Sequence, residues 1–302
     1  MIQDIYPHKL NNQYDLKAVP SPNSPVLVFD GPKVLADTNG WLRIPSAEEV
    51  GMDKEFVFLF RLDDTAYFLA RSFKDEIPGY KFTDVRAIRD LEDAEKHHKF
   101  AVMTGKHLSD WYRDFTFCGR CGCRMNLSDK ERAMVCPECG NTAYPRIMPA
   151  VIVGVINGES ILITRYRKGY QHNALVAGFT EIGETLEETV AREVMEETGV
   201  RVKNIRYYKS QPWGMASDLL AGFFCEVDGS TEIHMDENEL QYAEWVKRED
   251  VVPQPGRNSL TNEMMIAFKE GRKDLFCENS QIGDMRQCAD VFYTTNKLKL
   301  FL

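Results

Sequence analysis

Three glutamates of one predicted helix, Glu193, Glu196 and Glu197, are spaced so that their carboxylates share a face. At about 100° per residue they fall at about 0°, about 300° and about 40° around the helix axis. Clustered carboxylates repel one another unless a cation lies among them, and hard divalent cations such as magnesium prefer oxygen ligands. The spacing therefore indicates a metal-binding platform, with a solvated acidic helix face as the alternative.

Four of the eight cysteines lie in two CxxC pairs, Cys118-Gly-Arg-Cys121 and Cys136-Pro-Glu-Cys139, separated by 14 residues. Each pair can turn two thiolates toward one point, and four thiolates make the closed tetrahedral shell that structural zinc prefers. We therefore expect one structural zinc per chain, which stabilises the fold and leaves no open position for catalysis. Unliganded reduced turns and a redox-active CxxC are the alternatives, and Cys123 is expected to be a spare thiol.

Sequence periodicity predicts the elements that must position these groups. Strands are predicted at 26–29, 56–61, 66–70, 150–156, 161–164, 174–176, 204–210, 219–227 and 242–246. Helices are predicted at 83–91, 94–111, 186–198 and 260–269. Asn157-Gly158 predicts a hairpin turn, and segments 291–293 and 298–302 are expected to be edge strands or a dimer contact. This mixture indicates an α+β sandwich, with the glutamate-rich helix against a mixed sheet.

The helix at 186–198 is bounded by two glycines. Gly178 is expected to begin the loop that leads into the helix, and Gly199 is expected to end it, as a C-terminal glycine commonly does. The side of the helix opposite the glutamates, with Ala191, Val194 and Met195, is expected to pack inward.

Composition limits the class of protein. The chain has 302 residues, of which 43% are hydrophobic, enough for a substantial core and for two or three domains. Its 37 Lys and Arg against 46 Asp and Glu give a net charge of −9, which argues against non-specific binding of nucleic acid. No apolar run is long enough for a membrane span and no signal peptide is evident, so we expect a cytoplasmic protein that has no membrane partner.

The glutamates belong to a longer pattern. Gly178, five residues, Glu184, seven residues and then Arg192 to Val200 fill every specified position of a Nudix box, so the chain resembles the Nudix hydrolases. The resemblance implies a Nudix α/β/α sandwich and hydrolysis of nucleoside diphosphates that are linked to another group. It also implies that Glu193, Glu196 and Glu197 bind the Mg²⁺ or Mn²⁺ that holds the pyrophosphate, and that Arg192 orients these carboxylates through short ion pairs.

A zinc ribbon directly before the box is similar to the bacterial NADH pyrophosphatase branch, over residues 117–268. That likeness implies cleavage of NAD(H) to NMN(H) and AMP, removal of NAD caps from RNA, and a homodimer. The domains expected are an N-terminal α+β domain at 1–116, a zinc ribbon at 117–145, a Nudix hydrolase domain at 146–275 and a C-terminal tail of unknown role at 276–302. The N-terminal domain is expected to cover one side of the site or to support the dimer.

The branch also has a SQPWPFPxS loop, and here the matching segment is SQPWGMASD at 210–218. Four positions match, which implies that Gln211 and Trp213 contribute to substrate binding, while the lost prolines predict a more flexible loop. The resemblance further implies that Phe179 stacks near the nicotinamide and that Tyr144 helps to close the same pocket.

Two more positions follow from the resemblance. Glu239 aligns with an acidic residue beside the metals, and Thr261 lies in a segment similar to the branch's Ser-Ile-Ala but differs at the small residue.

Two questions stay open at the level of sequence. The general base is Glu197, Glu196 or Glu239, since a carboxylate must lie within hydrogen-bond reach of the attacking water. The alternatives to an NAD(H) diphosphatase are a broader dinucleotide or ADP-ribose pyrophosphatase and a non-catalytic Nudix-like sensor of NAD or ADP-ribose. The intact box argues against the sensor, because a protein that only binds need not keep Arg192 and all three box glutamates.

Overall fold

The computed structural model describes residues 1–73, 75–169 and 172–272. The predicted segments 291–293 and 298–302, with the whole of the proposed tail at 276–302, lie outside the described residues. Within these ranges, none of the helices combines the length and the apolar character that a membrane crossing needs.

The N-terminal region (residues 1–116) contains two small sheets and three helices. Its strands are β1 (Leu10–Asn11), β2 (Val26–Leu27), β3 (Phe29–Asp30), β4 (Lys33–Ala36), β5 (Phe56–Leu62), β6 (Thr65–Ala70) and β7 (Lys81–Asp84). Its helices are α1 (Ala47–Val50), α2 (Val85–Asp90) and α3 (Lys96–Asp114). The sheets have the orders β1-β5-β6-β2 and β3-β4-β7.

Two of the sequence-based boundaries in this region were wrong. The helix predicted at 83–91 begins at Val85, because residues 81–84 pair with β4 and Asp84 caps the helix by accepting a hydrogen bond from the Arg86 amide. The strand predicted at 26–29 is two strands of different sheets, β2 and β3.

The cysteine segment forms a three-stranded sheet of β8 (Asn126–Leu127), β9 (Met134–Val135) and β10 (Thr142–Ala143). Its buried side chains, Met125 and Met134 among them, share one hydrophobic cluster with Leu59 and Met103 of the N-terminal region. The two segments therefore stabilise each other.

The remaining described elements build one mixed sheet with two helices. The strands are β11 (Met148–Asn157), β12 (Ser160–Tyr166), β13 (Val176–Phe179), β14 (Val202–Trp213), β15 (Asp218–Val227) and β16 (Leu240–Lys247). The helices are α4 (Leu186–Thr198) and α5 (Leu260–Lys269), and a 3-10 turn lies at Arg248–Asp250. The sheet order is β14-β15-β11-β12-β16, with β13 beside β11. Only the β11–β15 pair is parallel among the strand pairs described for this sheet.

The two helices cover opposite faces of this sheet. Val190 and Val194 of α4 pack in one hydrophobic cluster with Val153 of β11, whereas α5 packs in another cluster through Met264 against Ile152. Alternate residues of β11 thus point to the two helices, as the period of a strand requires. The predicted α/β/α sandwich is confirmed, and α4 and α5 have the predicted bounds.

The loop between β14 and β15, for which the lost prolines predicted greater flexibility, packs against the N-terminal region. Gly214 is buried against α3, and Met215 packs on the core of the N-terminal region. A Cβ atom at residue 214 would overlap the Met103 carbonyl. Glycine is present there because the backbone of α3 lies directly against it.

Gly214→Ala is therefore expected to destabilise the protein by about 1–3 kcal/mol, since the overlap is with backbone and not with a mobile side chain. Urea unfolding measures the change. Gly119→Ala is the control, because a Cβ there meets nothing within 4 Å. Equal midpoints for the two variants would contradict the packing argument.

Candidate functional site

Helix α4 is fixed at both ends by its own sequence. Thr185 accepts a hydrogen bond from the Glu188 amide, and the Glu188 carboxylate accepts one from the Thr185 amide, which forms a capping box. Gly199 ends the helix in the left-handed conformation, with a φ of 69°. The position of the glutamates along the helix is thus set locally.

The three box glutamates differ strongly in burial. Glu197 is only 3% exposed, whereas the Glu193 side chain is 13% and the Glu196 side chain 60% exposed. Val194 packs inward as predicted, but the prediction was wrong for Ala191 and Met195, which are exposed. The reason is the rotation of the helix, whose buried face consists of Thr189, Val190, Val194, Glu197 and Thr198.

Arg192 joins the carboxylates of the box. Its Nε and Nη2 donate to the two oxygens of Glu184 at 2.6 and 2.9 Å. Its Nη1 donates to Glu193 Oε1 at 2.8 Å and to Glu196 Oε2 at 3.0 Å, and Nη2 also reaches the Phe179 carbonyl at 2.9 Å. This pairing lowers the pKa of Glu184 to about 2, chiefly through the Arg192 hydrogen bonds. One guanidinium therefore connects the loop before α4 with two glutamates of the helix.

Gly178 provides the space that the Glu193 carboxylate occupies. The glycine lies in β13, opposite Val151 of β11, and not at the start of a loop as expected. A Cβ at this position would overlap the Glu193 carboxyl group. Burial raises the pKa of Glu193, while the Arg192 hydrogen bond opposes that rise.

Gly178→Ala is expected to lower the hydrolysis that the sequence resemblance implies by about 10²-fold, because displacement of a positioning or binding group by about 1 Å has effects of this size. Steady-state kinetics with NADH measures the change. The Gly119→Ala control should keep the activity of the wild type, and an active Gly178→Ala enzyme would argue that the position of Glu193 is unimportant.

Glu197 has a partner that the sequence did not reveal. The Tyr166 hydroxyl lies 3.0 and 3.2 Å from the two Glu197 carboxylate oxygens and also accepts a hydrogen bond from the Ala177 amide at 3.0 Å. Tyr166 ends β12, and no motif distinguishes it from other strand tyrosines. Burial, then the charges of Glu193 and Glu239, raise the pKa of Glu197 to about 8 despite this hydrogen bond.

This raised pKa predicts a pH dependence of stability in protein without added Mg²⁺ or Mn²⁺. Between about pH 4.5 and about pH 8 the unfolded chain loses the Glu197 proton while the folded chain keeps it. The contribution of Glu197 to the free energy of unfolding is therefore fully present below about pH 4.5 and is lost as the pH rises toward about 8. Between pH 5 and pH 8, we expect the free energy of unfolding of wild type to fall by a few kcal/mol relative to that of Glu197→Gln, as measured by urea unfolding. A constant difference would contradict the burial of an ionisable carboxyl.

The donor set fits a divalent cation that takes oxygen ligands. Arg192 bonds to one oxygen of Glu193 and one of Glu196, which leaves the second oxygen of each carboxylate outside that pairing. The charge of Glu239 raises the pKa of both Glu193 and Glu197, so the fold brings this fourth carboxylate into electrostatic range. A divalent cation would offset this excess of negative charge.

In the described part of the chain, no three of these four glutamates have ligand atoms that all lie within 4.8 Å of one another. Arg192 Nη1 bridges Glu193 and Glu196, whereas Glu197 is paired with Tyr166. A single cation bound by three of these carboxylates would therefore require side-chain rotation.

The predicted substrate residues are placed differently from one another. Phe179 is 50% exposed next to the box, and Trp213 is half-buried with its ring 5.9 Å from the Arg89 guanidinium carbon. Thr261 is half-buried in the first turn of α5. Tyr144 is exposed and donates a hydrogen bond to Glu131 of the ribbon at 2.9 Å.

Gln211 is fully buried, and its contacts are structural. Its amide donates to Gln3 Oε1 at 3.0 Å and to the Asn258 carbonyl at 2.9 Å, and its oxygen accepts from the Leu260 amide at 2.7 Å. It therefore fastens β14 to the start of α5 and to the N-terminus of the chain. Its predicted contact with substrate stays a prediction.

The four ribbon cysteines lie close together. The sulfur atoms of Cys118 and Cys139 are 3.7 Å apart, and those of Cys121 and Cys136 are 3.4 Å apart. Sulfur ligands about 2.3 Å from a tetrahedral zinc are separated by about 3.8 Å, so the arrangement fits zinc. Each pair is followed by a glycine of positive φ, Gly122 at 77° or Gly140 at 68°, which turns the backbone amides toward the thiolates.

Comparisons with known proteins cover the two segments that form these sites. The NADH pyrophosphatase zinc ribbon domain matches residues 113–144, and the NUDIX domain matches residues 146–267. The chain is 42% identical over 178 residues to the NAD-capped RNA hydrolase NudC of Salmonella typhimurium, over 57% of this chain and 68% of that protein. NudC of Citrobacter koseri gives the same identity and coverage. A crystal structure of a NUDIX hydrolase from Nitrosomonas europaea aligns with a TM-score of 0.46 at 20% identity, over 53% of this chain and 93% of that chain.

Proposed function

We infer the function from one premise: this chain belongs to the Nudix family, in the branch that joins an NADH pyrophosphatase zinc ribbon to the Nudix domain. We propose that it hydrolyses the pyrophosphate of NAD(H) to NMN(H) and AMP and that it removes NAD caps from RNA. The observation that carries the proposal is the ribbon and the complete box in adjoining segments, at 42% identity to NAD-capped RNA hydrolases.

In this proposal Glu193, Glu196, Glu197 and Glu239 hold Mg²⁺ or Mn²⁺, for which their carboxylate oxygens are suitable ligands. When bound, the cation neutralises the pyrophosphate and stabilises the charge that develops on the leaving phosphate. Arg192 positions Glu193 and Glu196 through its ion pairs.

The general base of the proposed reaction is a carboxylate within reach of the attacking water. Glu197 is supported by its burial among the box carboxylates, which limits the freedom of its side chain. The Tyr166 hydroxyl positions this carboxylate and supports the same role. Glu196 is mostly exposed and is paired with Arg192, which favours metal binding for this residue over proton transfer.

The nicotinamide end of the substrate is proposed to contact Phe179, which offers an exposed aromatic face beside the box. Tyr144, Trp213, Gln211 and Thr261 stay proposed substrate-binding residues that rest on the family resemblance. A homodimer is proposed on the same ground, and light scattering after size-exclusion chromatography tests it.

The deciding experiment is a substrate panel with products resolved by chromatography. NADH, NAD, ADP-ribose, a diadenosine polyphosphate and NAD-capped RNA are each incubated with and without Mg²⁺ or Mn²⁺. Metal-dependent release of NMN(H) and AMP at the highest kcat/KM supports the proposal. Faster cleavage of ADP-ribose would favour a broader dinucleotide or ADP-ribose pyrophosphatase, and NAD binding without cleavage in either metal would favour a sensor.

A further inference from the structure

The N-terminal region contains a cluster of metal-ligand side chains that the proposed reaction does not use. Glu95 immediately precedes α3, and His97 and His98 lie in its first turn. Glu95 Oε2 is 3.2 Å from His97 Nε2 and 3.8 Å from His98 Nδ1. One potential ligand atom from each of the three residues lies within 4.8 Å of the others.

These separations fit coordination of one ion. Nitrogen and oxygen ligands at about 2.0–2.2 Å from a tetrahedral metal are about 3.3–3.6 Å apart, which lies between the two distances from Glu95. Among the described residues, the ribbon cysteines are the other group of potential ligands that meets the same distance limit. The Glu95–His97–His98 cluster is therefore as compact as the cysteine group, which the family comparison independently identifies as a zinc ribbon.

Residues outside the cluster hold the His97 ring in place. The His8 ring stacks on the His97 ring with centroids 3.7 Å apart, and His8 Nδ1 bonds to Asp63 Oδ2 at 2.8 Å. The His97 side chain is only 11% exposed, so its ring has little freedom. Outer contacts that fix the orientation of a ligand are typical of metal sites.

Glu95 is not occupied in capping the helix. It stands at the N-cap position of α3, yet its side chain makes no capping hydrogen bond and is directed to the two imidazoles.

We propose that Glu95, His97 and His98 form a second transition-metal site, which binds Zn²⁺ or a cation of similar chemistry. Two imidazoles with one carboxylate suit zinc, whereas magnesium prefers oxygen ligands throughout. Three protein ligands leave a position for an exchangeable water or anion. Glu95 and His98 also line a cleft of about 420 Å³ beside Trp41, Arg43 and Tyr67, so an ion bound by them would lie next to a space that a small ligand can enter.

The test measures zinc binding beyond the ribbon metal. Protein that retains its tightly bound zinc after dialysis is titrated with Zn²⁺ in excess Mg²⁺, and bound zinc is counted by equilibrium dialysis with elemental analysis. Wild type should bind one further equivalent. His98→Gln should weaken that equivalent by at least about 10-fold, since loss of even an outer contact has effects of this size.

His234→Gln is the matched control. His234 is exposed and lies 3.8 Å from Glu232. Such a surface pair could bind metal adventitiously, but among the described residues His234 does not belong to a group of three potential ligands. The control should bind zinc as wild type does. The same equivalent should persist in Glu197→Gln, which separates this site from the box.

Two results would overturn the proposal: no further equivalent in wild type, or the same loss in His98→Gln and His234→Gln. Circular dichroism checks that His98→Gln is folded, which is expected because the side chain is 39% exposed. Should His98→Gln be unfolded, Glu95→Gln provides the same test, since its side chain is 68% exposed.

Discussion

Glu197→Gln is expected to lower kcat for NADH hydrolysis by on the order of 10³-fold, the usual range for loss of a general base, with any loss of metal affinity in addition. The exchange removes a negative charge and a proton acceptor while it keeps the shape of the side chain and a partner for the Tyr166 hydroxyl. Steady-state kinetics across Mg²⁺ and Mn²⁺ concentrations separates a lower kcat from weaker metal binding.

Glu187→Gln is the matched control for this prediction. Glu187 lies in the first turn of the same helix and is exposed. It should keep activity within about twofold of wild type, because surface substitutions change free energies by about 0.5 kcal/mol or less. Equal losses in the two variants would mean that general acidity of the helix, and not the buried carboxylate, supports the reaction. Full activity in Glu197→Gln would remove Glu197 from the mechanism.

Cys136→Ser is expected to abolish tight zinc binding and to destabilise the protein by at least about 3 kcal/mol, since structural zinc contributes about 10–16 kcal/mol of apparent binding energy in isolated fingers. Cys136 is 1% exposed and belongs to the hydrophobic cluster that the ribbon shares with the N-terminal region. Loss of the metal should therefore loosen both segments. Thermal unfolding, with the zinc content of dialysed protein, measures the effect.

Cys123→Ser provides the comparison within the same ribbon. Cys123 is half-buried but is not among the four cysteines whose sulfur atoms converge. This variant should retain one tightly bound zinc and the thermal stability of wild type. Similar zinc contents in Cys136→Ser and Cys123→Ser would contradict the four-cysteine assignment.

The grouping of residues at the two candidate sites could be predicted because it depends on spacing along the chain. The bounds of α4 were predicted since its caps, Thr185 with Glu188 and then Gly199, are local sequence features. The paired CxxC segments predicted a ribbon for the same reason, because each turn places its own two thiolates. The division of the chain at residues 116, 145 and 275 stays a prediction.

The burial of each site residue could not be predicted in this way, because it depends on elements distant in sequence. Helical angles alone placed Met195 inward, although the sheet covers the side that includes Glu197. Gln211 is a predicted substrate residue by resemblance, and only the structure shows that it bonds to Gln3 near the N-terminus and to the start of α5.

The sequence by itself determined that the glutamates share a helix, that four cysteines form a ribbon and that both belong to one hydrolase family. Only the tertiary structure decided that Tyr166 would hold Glu197 and that Gly178 would make room for Glu193, because each contact joins separate strands and helices. It also placed the His8 ring on the His97 ring, 89 residues away in sequence, and bonded His8 to Asp63, 55 residues away. Such groupings follow from packing, which sequence spacing does not encode.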